Sequence, residues 1–331
     1  MDARTPAGTA SLRVTFGREA TSGGARSGET SGEEMSVELP CLAGKEVEEI
    51  FTRLVLDGAP DAETAGKKPV EGVTLFQRQG LLVGYAREPF TAGDGEAATR
   101  RLYERVLAAC AGGQLYRIWN YVPGINEVSA GLENYRAFCK GRSVAFEEAF
   151  GAGFQRQLPA ASGVGSEGRT LEVIFVAGAN APRHVENPEQ VPAYLYPPEH
   201  GPRSPSFSRA TVVEEGGQRW VFVSGTAAIK GHQTVAVGSL EEQIDCTLDN
   251  LRLVSRASGV GENLGAGDAG WTRHFKIYLR HAKDLAEARA ALEGKLVSSA
   301  DRVTWLRSDI CRAELDIEIE VTLVGEEKRE E

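Results

Sequence analysis

Between Leu315 and Leu323 every second residue is a large aliphatic: Leu315, Ile317, Ile319, Val321 and Leu323. A period of two puts all five on one face of a β-strand. The other face then carries Asp316, Glu318 and Glu320. Three carboxylates in a row repel one another unless water, cations or burial intervene. The row is therefore either a wetted sheet face or the wall of a site, and the alternation alone leaves both open.

The rest of the chain repeats one pattern of elements. Its length of 331 residues fits two domains. The first half predicts strands at 73–77 and 81–87, a helix at 96–111, a strand at 115–121, a helix at 131–150 and a strand at 171–177. The second predicts strands at 210–215 and 219–225, a helix at 239–258, a strand at 272–279, a helix at 282–296, and strands at 303–307 and 313–324. Ile244, Leu248, Leu251 and Val254 give the third helix its apolar face, and Gly259 and Gly113 stand where helix C-caps belong. Order of this kind favours an α+β sandwich over a doubly wound sheet. Residues 1–34, rich in Gly, Ser and Thr, predict a disordered tail, and 157–169 a surface loop. Seven prolines fall between 181 and 208, a density that no helix or central strand tolerates, so this segment reads as a linker able to lie across a cleft. The expected domains are 35–180 and 209–331.

Composition excludes several functions. A net charge of −10 argues against nucleic-acid binding, which needs a basic surface, although a local arginine pocket can still hold an anion. The five cysteines, Cys41, Cys110, Cys139, Cys246 and Cys311, form no CxxC and predict a reduced, cytoplasmic protein. No long apolar run predicts a signal peptide or membrane span. The histidines His184, His200, His232, His274 and His281 are scattered without i,i+4 pairing, which predicts no metal site. No GxGxxG follows a first strand, and neither a P-loop nor a nucleophile elbow is present, so no nucleotide cofactor or serine triad is expected.

Several segments carry a resemblance. Val221–Ala228 (numbers 221–228), Gln243 with 247–251, and Ile317-Glu318-Ile319-Glu320 look like the trimeric imine-deaminase family. The upstream Tyr116-Arg117-Ile118-Trp119-Asn120-Tyr121-Val122-Pro123-Gly124-Ile125-Asn126 and Glu133-Asn134-Tyr135-Arg136-Ala137-Phe138-Cys139-Lys140-Gly141-Arg142 are foreign to that family. They resemble the chorismatases, whose C-terminal half is imine-deaminase-like, and the likeness covers 70–324. It implies two imine-deaminase-like (chorismate-mutase-like) sandwich domains in one monomeric chain with an internal pseudo-repeat, and a cofactor-free enzyme whose partner is the small dianion chorismate. Imine hydrolysis is the less favoured activity: the imine deaminases carry an arginine eight residues before their Glu-Ile-Glu, whereas Arg312 lies six before Glu318.

The resemblance places the general acid at Glu318. Protonating the enol methylene of chorismate's ether needs a carboxylic acid of raised pKa, and crowding plus burial would supply one; the competing reading is a solvated strand glutamate. A cysteine at the Cys311 position resembles the subgroup that forms 3-hydroxybenzoate, whereas an aliphatic residue there marks hydrolysis to a dihydroxycyclohexadiene acid. Cys311 is otherwise a small core filler. Arg142 and Arg209 resemble the family's carboxylate-binding residues, and a guanidinium fork suits each of two carboxylates; without the resemblance they read as surface charge. Tyr135, Tyr194 and Tyr196 are expected either to bond substrate oxygens or to pack between domains. Gly225, Thr226 and Ala227 form a small-residue turn that lets a ring approach the backbone, or an ordinary hairpin exit. A rival of another class is a non-enzymatic small-molecule binding module.

Overall fold

The computed structural model describes residues 12–17, 33–44, 70–78, 80–267 and 270–326. Two sheets dominate it. The first contains β4 (Val73–Arg78), β5 (Leu81–Pro89), β6 (Gln114–Pro123), β9 (Ala160–Ser166) and β10 (Thr170–Gly178), in the order β4-β5-β10-β6-β9. The second contains β12 (Ala210–Glu215), β13 (Gln218–Thr226), β16 (Trp271–Leu279), β17 (Arg302–Arg307) and β18 (Ile317–Glu326), in the order β12-β13-β18-β16-β17. The two orders are the same pattern used twice. In each, the fourth and fifth strands pair in parallel, and the other neighbours among these five are antiparallel. A helix bridges each of those pairs: α2 (Asn134–Phe150) between β6 and β9, and α4 (Leu285–Leu292) between β16 and β17. The remaining helices, α1 (Gly95–Ala109) and α3 (Leu240–Ser258), occupy matching places after β5 and β13.

Strand alternation sets the layers. On β10, Leu171, Val173 and Phe175 pack against Leu102, Val106, Phe138 and Phe146 of α1 and α2. On β18, Ile317, Ile319, Val321 and Leu323 pack against Ile244, Leu248, Leu251 and Val254 of α3. The intervening residues of both sheets face each other, with Trp119, Tyr121, Ile174, Trp220, Phe222 and Tyr278 in one buried cluster. Helices therefore lie outside and sheets inside, giving four layers. The polar face of β18 looks into the molecule: Glu318 and Glu320 are 3% and 2% exposed. That removes the wetted-face alternative.

Several expectations need correction. Residues 12–17, placed in the tail by composition, form β1 (Leu12–Gly17), parallel to β2 (Glu33–Glu38). Val14 and Phe16 are buried in the inter-sheet cluster, and the Phe16 ring lies 5.7 Å from that of Tyr121. The rest of the expected tail, apart from 33 and 34, lies outside the described residues. β3 (Cys41–Ala43) pairs with β17 on the second sheet, although it falls in the stretch assigned to the first domain. Residues 160–166, read as loop, are the buried strand β9; their small side chains suit the close seam between the sheets, where Ala160 N–H donates to Thr211 Oγ1 (2.8 Å) and Ala161 N–H to Ser224 Oγ (2.9 Å). Gly259 is the left-handed cap of α3 (φ 73°), but α1 ends at Ala109, before Gly113. The proline-rich segment forms the short edge strand β11 (Arg183–Val185) and two 3-10 turns, Ala193–Leu195 and Pro198–His200. Among the described residues no helix is long and apolar enough to cross a membrane.

Candidate functional site

β13 breaks register where it meets the carboxylates. Val223 pairs with Val321 and Thr226 with Ile319, so Ser224 and Gly225 together face the single residue Glu320. This is a β-bulge, which bends the strand and frees backbone groups from the ladder. The freed Gly225 N–H donates to Ser162 Oγ of β9 at 2.9 Å. Gly225 itself is required by Glu318: a Cβ there would land on the Glu318 carboxylate oxygen.

The bend opens a cavity of about 380 Å³. Glu318 forms part of its wall, with Gly225, Thr226 and Ala227 beside it. Tyr135 and Arg136 at the start of α2 contribute from the first domain. Tyr196, Phe207 and Arg209 contribute from the proline-rich segment and its end, and Cys311 and Arg312 from the turn before β18. Two short strands, β14 (Ile229–Lys230) and β15 (Gln233–Thr234), form a hairpin at the rim.

The two glutamates of β18 differ in charge state. Glu320 accepts from Arg117 Nη2 (2.8 Å) and Trp119 Nε1 (2.7 Å) of β6, and Lys276 Nζ of β16 lies 2.8 Å away. Burial alone would raise its pKa, but Lys276 and Arg117 outweigh it and hold the carboxyl below its usual range. Glu318 lacks such partners. Burial, then the charge on Glu320, push it up to about 8 against the opposing pull of Arg117 and Arg209. One carboxylate is thus a fixed anion, and its neighbour two residues away is a protonated acid at neutral pH. Asp316 does not join them. The strand begins at Ile317, and Asp316 is turned to α3, where its N–H donates to Gln243 Oε1 (2.8 Å) and its Oδ2 accepts from Gln243 Nε2 (3.1 Å).

Cys311 Sγ stands 4.0 Å from Glu318 Oε2. Burial, and then the nearby Glu318, push its pKa far up, so the sulfur is a thiol and not a thiolate. Arg209 Nη2 donates to Tyr196 Oη (2.8 Å), while its Nε makes no hydrogen bond and faces Glu186 Oε2 at 4.0 Å. Tyr135 and Tyr196 line the cavity; Tyr194 packs against the core of the first domain instead. Arg142 is also absent from the cavity wall. It is buried in α2 with its guanidinium 4.8 Å from the Phe138 ring, and burial is offset by Tyr103, Cys139 and Tyr135 to leave its pKa raised. Arg312, passed over as a binding residue in the sequence, takes a place on the wall and donates to the His232 carbonyl at 2.9 Å. Arg117, Lys276 and Ser162 were likewise missed. The signal for the first two was a lone cation inside an apolar strand, Tyr116-Arg117-Ile118 and Phe275-Lys276-Ile277.

Comparison with known proteins decides the family. The model of the chorismatase FkbO/Hyg5-like N-terminal family matches residues 62–177. A chorismatase of Streptomyces hygroscopicus is 37% identical over 271 residues, 77% of this chain and 76% of that one. The chain belongs to the chorismatase family. It is therefore an enzyme. A 3-hydroxybenzoate synthase of Streptomyces hygroscopicus is 39% identical over 216 residues, so that the match spans 62% of each chain, just under two thirds of that relative's length. A crystal structure of a chorismatase superposes with a TM-score of 0.72 at 30% identity, covering 97% of this chain and 95% of that one. Likeness over both domains fits the doubled α+β architecture.

Proposed function

We propose that this enzyme cleaves the enolpyruvyl ether of chorismate to pyruvate and 3-hydroxybenzoate, with Glu318 as general acid. The observation that carries the reading is a protonated Glu318 in the wall of the cavity, two residues along the strand from an ionised Glu320. An acid with a pKa near the working pH is the group that proton transfer to a carbon requires. Glu318 gives its proton to the enol methylene. Positive charge then develops at the former enol carbon, beside the carboxylate just formed and the fixed charge of Glu320.

The oxocarbenium ion has two fates. Capture by water gives pyruvate and the dihydroxycyclohexadiene acid, with one water consumed. Use of the ring's own hydroxyl divides the atoms of chorismate between pyruvate and 3-hydroxybenzoate with no net water. Cys311, a neutral thiol next to Glu318, supports the second fate by occupying the water's place and offering an S–H for proton relay. Arg209 is proposed to hold one substrate carboxylate, since it lines the cavity and its Nε makes no hydrogen bond within the protein. Arg312 is proposed to hold the other, in place of Arg142.

The test is incubation of the purified chain with chorismate, reading pyruvate by a coupled assay and the ring acid by chromatography. Pyruvate with 3-hydroxybenzoate supports the full reading. Pyruvate with the diene acid retains Glu318 but overturns the product, and absence of pyruvate overturns the activity.

A further inference from the structure

Two of the scattered histidines meet at the rim of the cavity. His200 ends the 3-10 turn Pro198–His200, and His232 sits in the turn between β14 and β15. His200 Nε2 and His232 Nδ1 are 3.0 Å apart. Glu199 Oε1 lies 3.6 Å from each. The three atoms form a nearly regular triangle.

We propose that Glu199, His200 and His232 bind one divalent transition-metal ion of the zinc class at the cavity mouth. Ligands about 2.1 Å from a tetrahedral ion stand about 3.4 Å apart, close to the spacing found here. Two imidazoles and one carboxylate form a donor set suited to zinc rather than to magnesium or calcium. Two ring nitrogens this close can share only one proton; an ion that replaces it sits off the line between them, so each ring turns slightly to face it. Gln233 supplies the outer contact: its Nε2 donates to Glu199 Oε1 at 2.9 Å and lies 3.1 Å from His232 Nδ1. Turned over, the same amide offers its oxygen as a fourth ligand. The rings are further fixed by Tyr196, whose centroid is 5.3 Å from that of His200 and 6.3 Å from that of His232. Arg312, bonded to the His232 carbonyl, brings a positive charge nearby and makes the site weaker than a buried structural zinc centre.

The ligands come from two neighbouring segments that both line the cavity, with the Val191 N–H donating to the Gly231 carbonyl at 3.0 Å. His200 belongs to the proline-rich segment, and His232 to the hairpin that also supplies Gln233 and Thr234 to the wall. An ion held by both staples them together more firmly than hydrogen bonds alone.

Tag-free full-length protein, treated with chelator and dialysed, is titrated with zinc chloride in a calorimeter, and separately with cobalt(II) while its visible absorption is recorded. One ion per chain is expected, with the intense visible bands of four-coordinate cobalt. His200→Ala and His232→Ala should each weaken binding at least about tenfold, on the scale that even outer-shell losses reach. His281→Ala, outside the triangle, should leave binding unchanged. Amide hydrogen exchange in 198–203 and 229–234 should slow when zinc is added. Absence of saturable binding, or equal loss in His281→Ala, overturns the site; binding without slowed exchange in either segment overturns the staple. None of these readouts involves turnover, so they stand apart from the assignment of substrate.

Discussion

Gly225 and Glu318 share one space: the Glu318 carboxyl fills the volume that any side chain at position 225 would take. The bulge in β13 and the acid on β18 are therefore a single device. Gly225→Ala is expected to keep the fold yet displace the carboxyl. A displacement of about 1 Å can cost on the order of 100-fold in turnover. Steady-state kinetics alongside a thermal melt separates this from unfolding; a variant of native turnover would remove the steric argument.

Replacing Glu318 by Gln keeps shape and removes the proton. Turnover should fall by about two to four orders of magnitude, with a product acid still bound. With the acid form as the active one in the proposed mechanism and its carboxyl pushed up to about 8, kcat/KM should stay level below that pH and decline above it. Stability should follow the same proton. The folded carboxyl titrates at about 8 and the ordinary one at 4.5, so this contribution is complete below 4.5 and lost as pH rises through about 8. In Glu318→Gln that slope should vanish from denaturation curves taken across the window, and its persistence would assign the slope elsewhere.

Glu320→Gln tests the partner anion. It leaves Arg117 and Lys276 buried without their counter-charge, a loss expected to cost about 3–5 kcal/mol of stability. It also removes a charge that raises the pKa of Glu318, so the falling limb of activity should move to lower pH. A limb that stays in place would show that Glu320 does not set the acid.

The arginines should separate. Arg209→Ala is expected to weaken substrate binding by about 2–5 kcal/mol, with Arg209→Lys recovering only part because the fork is lost. Arg142→Ala, away from the wall, should instead lower the melting temperature with KM little changed. Equal effects of the two on KM would return Arg142 to the binding set.

Cys311→Val, similar in volume but without S–H, should shift the ring product toward the dihydroxycyclohexadiene acid while pyruvate release persists. Chromatography of the ring acids decides it, and an unchanged ratio makes the cysteine a filler.

How much of this was legible follows from physics more than from motif. Glu318 could be found because a period of two is visible in any strand, and a row of carboxylates opposite an aliphatic face is conspicuous. Its depth could not, since whether a strand face meets water or a second sheet depends on the partner domain. Ser162 was hidden because Ala160–Ser166 has the composition of a loop; only packing at the seam explains small residues in a strand. Asp316 looked equivalent to Glu318 until Gln243 was seen to hold it outside the sheet. His200 and His232, 32 positions apart, are joined by two turns whose approach no local pattern encodes.

The position of β18 has one more consequence, for the order of assembly. It follows β13 and β16 in sequence yet lies between them in the sheet, so the second sheet stays in two parts until this strand is inserted. Arg117 belongs to the first sheet and Lys276 to the second, and Glu320 is the anion that both grasp. Docking the domains before β18 arrives would bury two cations with nothing between them, at a cost of several kcal/mol each. Closure therefore waits for the strand that bears the acid, and a chain that has closed already has Glu318 in position.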